Sequence, residues 1–336
     1  MNSVSENASK RDYRFDNLKG LLIILVVVGH FLLPLAETRF VTSTIHTIYF
    51  FHMPAFVLIS GYFAKGIVKN GEIQWKKILR VLVLFIVFKL IVYIPEGLVA
   101  GHFSRGTELL HESGAPWYLW ALFIWYLTVP LLDRLHDKKI IVIVISCVFA
   151  VVIFGRYLVD AGDFFSLDRV IGFYPFFVVG YYIDRRMIED FSKSKAKLWT
   201  GITTIILLVI LFIGFKEFFY DYRLVEYGVQ YSRYSPAVYG YAWLINIIWF
   251  AGSIFVSIGL FSFMKNQKMP ILTVLGQNTL PVYIIHRPIR DLCQYIGLYN
   301  LIDSNSKVQV IILIILSALL AVLIGLAAEW YNRVRP

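Results

Sequence analysis

Apolar residues gather into long runs separated by short polar segments, at 20–37, 45–64, 78–98, 116–132, 139–158, 170–183, 199–215, 241–264, 271–289 and 308–331. Most of these runs cross about 30 Å of hydrocarbon if they rise as helices by about 1.5 Å per residue. Lipid offers no partners for backbone polar groups, so a crossing run forms a helix, and the strict alternation of a barrel strand is absent. The pattern predicts an all-α polytopic membrane protein of about ten transmembrane helices. The run at 170–183 is short and that at 271–289 is polar, which leaves the count open by one. Residues 20–331 read as one transmembrane domain, with a polar segment at 1–19 before it and a tail at 332–336 after it. No internal repeat or soluble domain interrupts it.

Composition supports the bilayer as solvent. Of 336 residues, 58% are hydrophobic, 17% aromatic and only 16% charged, with a mean hydropathy of +0.68. Soluble domains carry nearer a quarter charged residues and lack repeated long apolar runs. The formal charge of +10 does not point to nucleic acid, because the cations sit in short clusters between apolar runs rather than on one face. With ten spans, 21 of the 32 Lys and Arg residues fall in loops on the side of the N-terminus and 10 on the other. The positive-inside rule then places both termini in the cytoplasm. The first run lacks a small-residue cleavage site and is expected to stay as an anchor. Two cysteines, Cys147 and Cys293, support neither a disulfide framework nor a Cys-based metal site.

An ionisable group within a span is costly and marks a functional candidate. His30 stands eleven positions after Lys19, which puts it roughly 16 Å below that cationic rim, near the bilayer centre. The competing reading is a packing histidine bonded to a neighbouring carbonyl. His52, on the second run, lies about 10 Å from the opposite surface, at a depth close to that of His30, and the two suggest a shared polar cavity. Further along, Ser60, Gly61 and Tyr62 approach the cytoplasmic side, as a ligand contact or a small-residue helix crossing.

These residues form ordered motifs. Asp16-Asn17-Leu18-Lys19 is followed after ten residues by His30, and Phe51-His52-Met53-Pro54 precedes Ile59-Ser60-Gly61-Tyr62-Phe63. Weaker matches follow in Trp117-Tyr118-Leu119-Trp120 with Pro130, in Phe176-Phe177 to Gly180-Tyr181, and in Leu275-Gly276 to Tyr283 with His286. In this order the chain resembles the bacterial acyltransferase-3 membrane proteins, in particular the branch similar to fucose 4-O-acetylases. It departs from the family in having Lys19 where many members have Arg, which removes a planar two-pronged phosphate contact but keeps a point charge. The extracytoplasmic domain fused to many members is not expected in a chain of this length.

The resemblance implies an O-acyltransferase of the bacterial plasma membrane that moves an acetyl or other short acyl group from acyl-CoA to a hydroxyl of a carbohydrate. Acyl-CoA, the carbohydrate acceptor and the lipid bilayer are the expected partners; nucleic acid, a resident cofactor and a metal are not expected. A histidine suits removal of the hydroxyl proton, and His30 is the expected base. Asp16 is expected to orient a neighbouring group or to pair with Lys19, with a helix N-cap as the alternative. Lys19, Ser60, Tyr62, Lys76, Lys77 and Arg80 are expected on the donor side, although clustered cations also arise from the positive-inside rule alone. His52, Trp117, Arg169 and His286 are expected on the acceptor side, with the ordinary interfacial aromatic belt competing for Trp117. A transporter or flippase for a polysaccharide or lipid-linked sugar is the rival class, and the Gly276 to Pro281 region is the one interrupted helix that favours it.

Overall fold

The computed structural model describes residues 11–100, 115–158, 164–218, 230–233 and 236–335; the first ten residues of the polar segment and Pro336 lie outside them. Among the described residues the chain folds into α1 (Tyr13–Leu32), α2 (Arg39–Phe63), α3 (Trp75–Ala100), α4 (Trp117–Leu132), α5 (Lys138–Gly155) and α6 (Leu167–Tyr182). It continues through α7 (Arg185–Lys193), α8 (Ala196–Phe218), α9 (Ala242–Phe263), α10 (Pro270–Gln277), α11 (Thr279–Tyr295) and α12 (Lys307–Val334), besides short 3₁₀ turns and the single turn Pro236–Tyr239. By length and composition, six segments among the described residues are long and apolar enough to cross a membrane: Tyr13–Leu35, Arg39–Ile67, Lys138–Gly155, Ala196–Gly214, Ala242–Phe263 and Lys307–Val334. Trp117–Leu132 is apolar but shorter. The chain is an all-α, multi-pass membrane protein.

Several boundaries differ from those the apolar runs predict, for identifiable reasons. The first helix begins seven residues before its apolar run because Asp12 caps it, accepting from the Arg14 N–H at 3.1 Å. The N-cap role considered for Asp16 therefore belongs to Asp12. The second helix begins at Arg39 rather than 45, and its polar start is tolerated because Thr44 and Thr47 donate to the Phe40 and Ser43 carbonyls. Helix α7 is amphipathic and too short and polar to register as a run; it turns Ile188 inward and leaves Arg185 and Arg186 exposed. A two-stranded hairpin, β1 (Val68–Lys69) with β2 (Glu72–Ile73), closes the α2–α3 connection. Asn70 and Gly71 both take positive φ there, the backbone that a tight two-residue hairpin turn needs.

Helices α1 and α2 form the centre. Helix α1 packs on α2, α10, α11 and α12, whereas α2 packs on α6, α8 and α9. Glycines allow the closest crossings. Gly61 on α2 faces the Phe177 carbonyl of α6, and Gly180 on α6 faces the Leu58 carbonyl of α2, so a Cβ on either would strike backbone. Gly20 and Gly276 do the same between α1 and α10. The outward faces of α3, α5, α8 and α12 stay apolar, with Val87, Val142, Ile206 and Leu319 exposed, as lipid-facing helices require.

The run at 271–289 is two helices. Asn278 breaks it, and its side chain donates to the Val274 carbonyl and to Glu329 on α12, while Asn332 donates to the Asn278 amide oxygen. Backbone freed by the break is thus met by protein rather than lipid. The first turns of α1 and the last turns of α12 both meet this junction, through Gly276 beside Asp16 and Asn332 beside Asn278.

Candidate active site

His30 lies in the last turn of α1, two residues before the helix ends and Pro34 turns the chain. It therefore stands toward the end of the helix and not at its middle, because α1 starts well before Lys19. Its Nδ1 is 2.8 Å from Nε2 of His286 on α11. His286 is wholly buried, and its own Nδ1 is 2.9 Å from the Val282 carbonyl one turn back. A carbonyl only accepts, so with neutral rings the His286 Nδ1–H donates to Val282 and leaves a lone pair on Nε2. That lone pair accepts the His30 Nδ1–H. The remaining nitrogen of His30, Nε2, then carries an available lone pair on a ring that keeps partial access.

His52 joins this region through Tyr49. The Tyr49 ring lies 4.8 Å from the His52 ring and 6.5 Å from the His30 ring, centroid to centroid. His52 is buried and its Nδ1–H donates to the Ile48 carbonyl at 2.8 Å, so it is a helix-bonded neighbour of the pair. Tyr283, one turn before His286, has its ring 6.2 Å from that imidazole, and its hydroxyl donates to the Ala115 carbonyl. Beyond it, Tyr118 lies edge-on at 6.0 Å and shares a 2.5 Å hydrogen bond with Ser60. Ser60 is thus tied to α4, in an aromatic and hydroxyl path that leads toward His286.

Asp16 is elsewhere. Fourteen residues separate it from His30 on one helix, roughly 21 Å along the axis, so its carboxylate does not reach the imidazole. It is a buried ion-pair centre, accepting from Arg11 Nε at 2.6 Å and facing Lys19 Nζ at 3.0 Å. Arg11 in turn holds its proton more firmly because of that bond. Lys19 is spent on this pair and also lies over the Phe63 ring at 5.9 Å. Asn17 next to it fastens the α9–α10 linker, donating to the Lys265 and Gln267 carbonyls and accepting from Thr273.

At this same end lies an apolar cavity of about 280 Å³ lined by Phe15, Leu18, Leu58, Tyr62, Ile188 and Phe261. Tyr62 stacks on Phe15 at 4.6 Å, Lys65 lies over the Tyr62 ring at 5.2 Å, and Arg14 lies over Phe261 at 5.4 Å. The sequence singled out Tyr62 but neither Lys65 nor Arg14 as its cationic neighbours. Lys76, Lys77 and Arg80 are exposed on the first turns of α3, and Lys77 donates to the Gly66 carbonyl at 2.8 Å. Trp117 is buried against Phe173, and the Arg169 guanidinium lies over it at 5.5 Å, so those two form one stacked unit.

The arrangement brings together His30, His286 and, through Tyr49, His52; it separates them from Asp16 and Lys19. Arg287 and Arg290, two of the ten cations on the side away from the N-terminus, stand on the α11 turn beyond His286. Their one signal in the sequence was the spacing from His286 to Arg290, which places both on one helix face.

An acyltransferase domain profile matches residues 12–329. The nodulation protein NolL of Sinorhizobium fredii is 27% identical over 331 residues, covering 92% of this chain and 86% of that protein. The NolL protein of Mesorhizobium japonicum is 23% identical, covering 89% and 83% respectively. No solved structure matches. With the profile spanning nearly every described helix and the histidine pair inside it, the chain belongs to the acyltransferase-3 family and is a multi-pass membrane acyltransferase.

Proposed function

We propose that this protein transfers an acetyl, or another short acyl, group from acyl-CoA to a hydroxyl of a cell-surface polysaccharide or lipid-linked sugar at the bacterial plasma membrane. The observation that carries this reading is the His30 and His286 contact, which leaves His30 Nε2 as a positioned proton acceptor. The sugar hydroxyl gives its proton to Nε2 while its oxygen bonds to the thioester carbonyl carbon. The carbon–sulfur bond then breaks, and the thiolate leaves with the proton returned by the imidazolium.

The rest of the site fits the two sides of that reaction. In this reading the chain crosses the membrane ten times with both termini cytoplasmic, and the Asp16 end of α1 faces the donor. Lys65 and the exposed cations of α3 supply positive charge there for the phosphates of CoA, whereas Arg14 is held by Asp12. The cavity lined by Leu18 lies twelve residues from His30, about 18 Å along α1, so the extended arm of the donor spans the helix to reach the imidazole. The acceptor approaches from the other end, where His30 keeps its partial exposure; Trp117, packed on Phe173 and covered by Arg169, supports that side without a free ring face. The interrupted helix favoured by the transporter reading is filled by the Asn278, Glu329 and Asn332 bonds, which gives that reading no open path at the break.

Membranes containing the protein, supplied with radiolabelled acetyl-CoA, are expected to acquire label in their glycan fraction. His30→Ala is expected to abolish that transfer while the protein accumulates normally. Label transfer by His30→Ala at the wild-type rate removes His30 from the mechanism, and absence of transfer by the wild type removes the acyl-CoA reading.

A further inference from the structure

Acyl transfer at His30 generates negative charge that the imidazole pair does not stabilise. As the hydroxyl oxygen adds to the thioester, the carbonyl oxygen becomes an oxyanion, and its partner must be a donor already in place beside the base. The two histidines cannot serve with neutral rings. His286 spends its N–H on Val282, and His30 spends its N–H on His286.

Helix α11 supplies a candidate one turn further on. Arg290 follows His286 by four residues, so the two project from one face of the helix. Its residue is 8% exposed, and its Nε–H is buried with no hydrogen-bond partner among the described residues. The local charges do not cancel. Asp291 is shared by two arginines, receiving Arg287 Nε at 2.7 and 3.0 Å and pairing also with Arg290 Nη2. Among the described residues one positive charge is left over on this cluster; Asp291 and Arg287 reach solvent, but the Arg290 side chain is buried, where an unmade hydrogen bond is costly. Tyr299 closes the same corner, its hydroxyl donating to the Phe31 carbonyl next to His30 at 3.1 Å.

We infer that Arg290 is the catalytic residue that stabilises the oxyanion formed beside His30, through its unpaired Nε–H and the uncompensated charge of the Arg287, Asp291 and Arg290 cluster. The inference rests on the acyl-CoA reading above. It assigns a group outside the family motifs that led to His30. In the step itself the carbonyl oxygen takes the electron pair of the C=O π bond as the acceptor oxygen bonds to carbon, and it returns that pair as the thiolate departs. Arg290 exchanges no proton.

The test uses full-length protein in its own membranes with radiolabelled acetyl-CoA as probe, after wild-type transfer and its loss in His30→Ala have been established. Arg290→Gln is expected to lower kcat about 10²- to 10³-fold, the range for loss of one oxyanion donor, with KM for acetyl-CoA changed by less than about threefold. Arg290→Lys is expected to recover only a small part, because a point charge does not reproduce the guanidinium's fixed donor geometry. If Arg290 merely neutralises Asp291, the double variant Arg290→Gln, Asp291→Asn regains activity; as an oxyanion donor it does not. Millimolar guanidinium added to Arg290→Ala is expected to restore transfer several-fold. Wild-type kcat in Arg290→Gln, or recovery in the double variant, overturns the assignment and leaves His30 and the transferase reading in place. Failure of the wild type to transfer label overturns both.

Discussion

At the scale of single residues, direction along a chain of hydrogen bonds matters more than proximity. The Val282 carbonyl sets which His286 nitrogen is bare, and that nitrogen sets which His30 nitrogen is bare, so one backbone oxygen orients the base two rings away. Nitrogen-15 NMR of histidine-labelled protein is accordingly expected to show both rings protonated on Nδ1 at neutral pH. His286→Phe keeps the packing volume but removes the acceptor, and His30 is expected to lose its single tautomer, with transfer falling about 10²-fold. His286→Gln, whose side-chain carbonyl accepts the same hydrogen, is expected to recover part of that loss. An Nε2-protonated His30 in the wild type, or equal rates in the Phe and Gln variants, removes the positioning role of His286. The first-helix histidine was legible from its cost in lipid alone, and His286 was singled out but placed with the acceptor. Its contact with His30 was not legible, since 256 residues separate them and no spacing rule spans that distance. Arg290 was obscured by the same gap, because a cation near a helix end is ordinary until its partners are known.

At the scale of elements, α1 and α2 hold their places by backbone contact rather than by side-chain fit. Lipid removes the hydrophobic drive for two apolar helices to meet, so close approach through glycine and the dispersion it allows take over. Where Gly61 meets Phe177 and Gly180 meets Leu58, the obstacle to a side chain is a carbonyl that cannot move aside. Gly61→Val or Gly180→Val is expected to cost about 1–3 kcal/mol or more and to lower the amount of folded protein recovered in detergent, measured by thermal unfolding against wild type. Gly155, whose missing Cβ faces open space, is the comparison: Gly155→Ala is expected to leave stability within about 1 kcal/mol. Equal stability of all three variants would show that the crossing tolerates separation. Ser60-Gly61 was read as either a ligand contact or a helix crossing, and the structure gives each residue its own answer: Gly61 makes the crossing, and Ser60 bonds Tyr118.

At the scale of the whole molecule, the first and last helices close on each other at the α10–α11 junction, and the apolar faces of α3, α5, α8 and α12 look outward. The proposed topology puts the Asn70-Gly71 hairpin in the cytoplasm and the α11–α12 connection outside. Both positions are exposed, so Asn70→Cys and Asn305→Cys can be probed once Cys147 and Cys293 are replaced. In intact cells an impermeant maleimide is expected to label Cys at 305 but to label Cys at 70 only after permeabilisation; the reverse pattern inverts the topology and takes the donor side with it. By itself the sequence determined that the chain is helical and membrane-borne, because hydrocarbon permits few backbone solutions and the run lengths declare which one applies. It also determined that a histidine lies in the first span, since such a residue stands out against apolar neighbours. The tertiary structure alone decided which polar groups share a site: Asp16 and Lys19, within the same motif, fall about 21 and 16 Å along the helix axis from the base, whereas His286 arrives beside it from the other end of the chain. The physical reason is that a helix converts closeness in sequence into separation along its axis, and only the crossing of helices brings distant positions within hydrogen-bond reach.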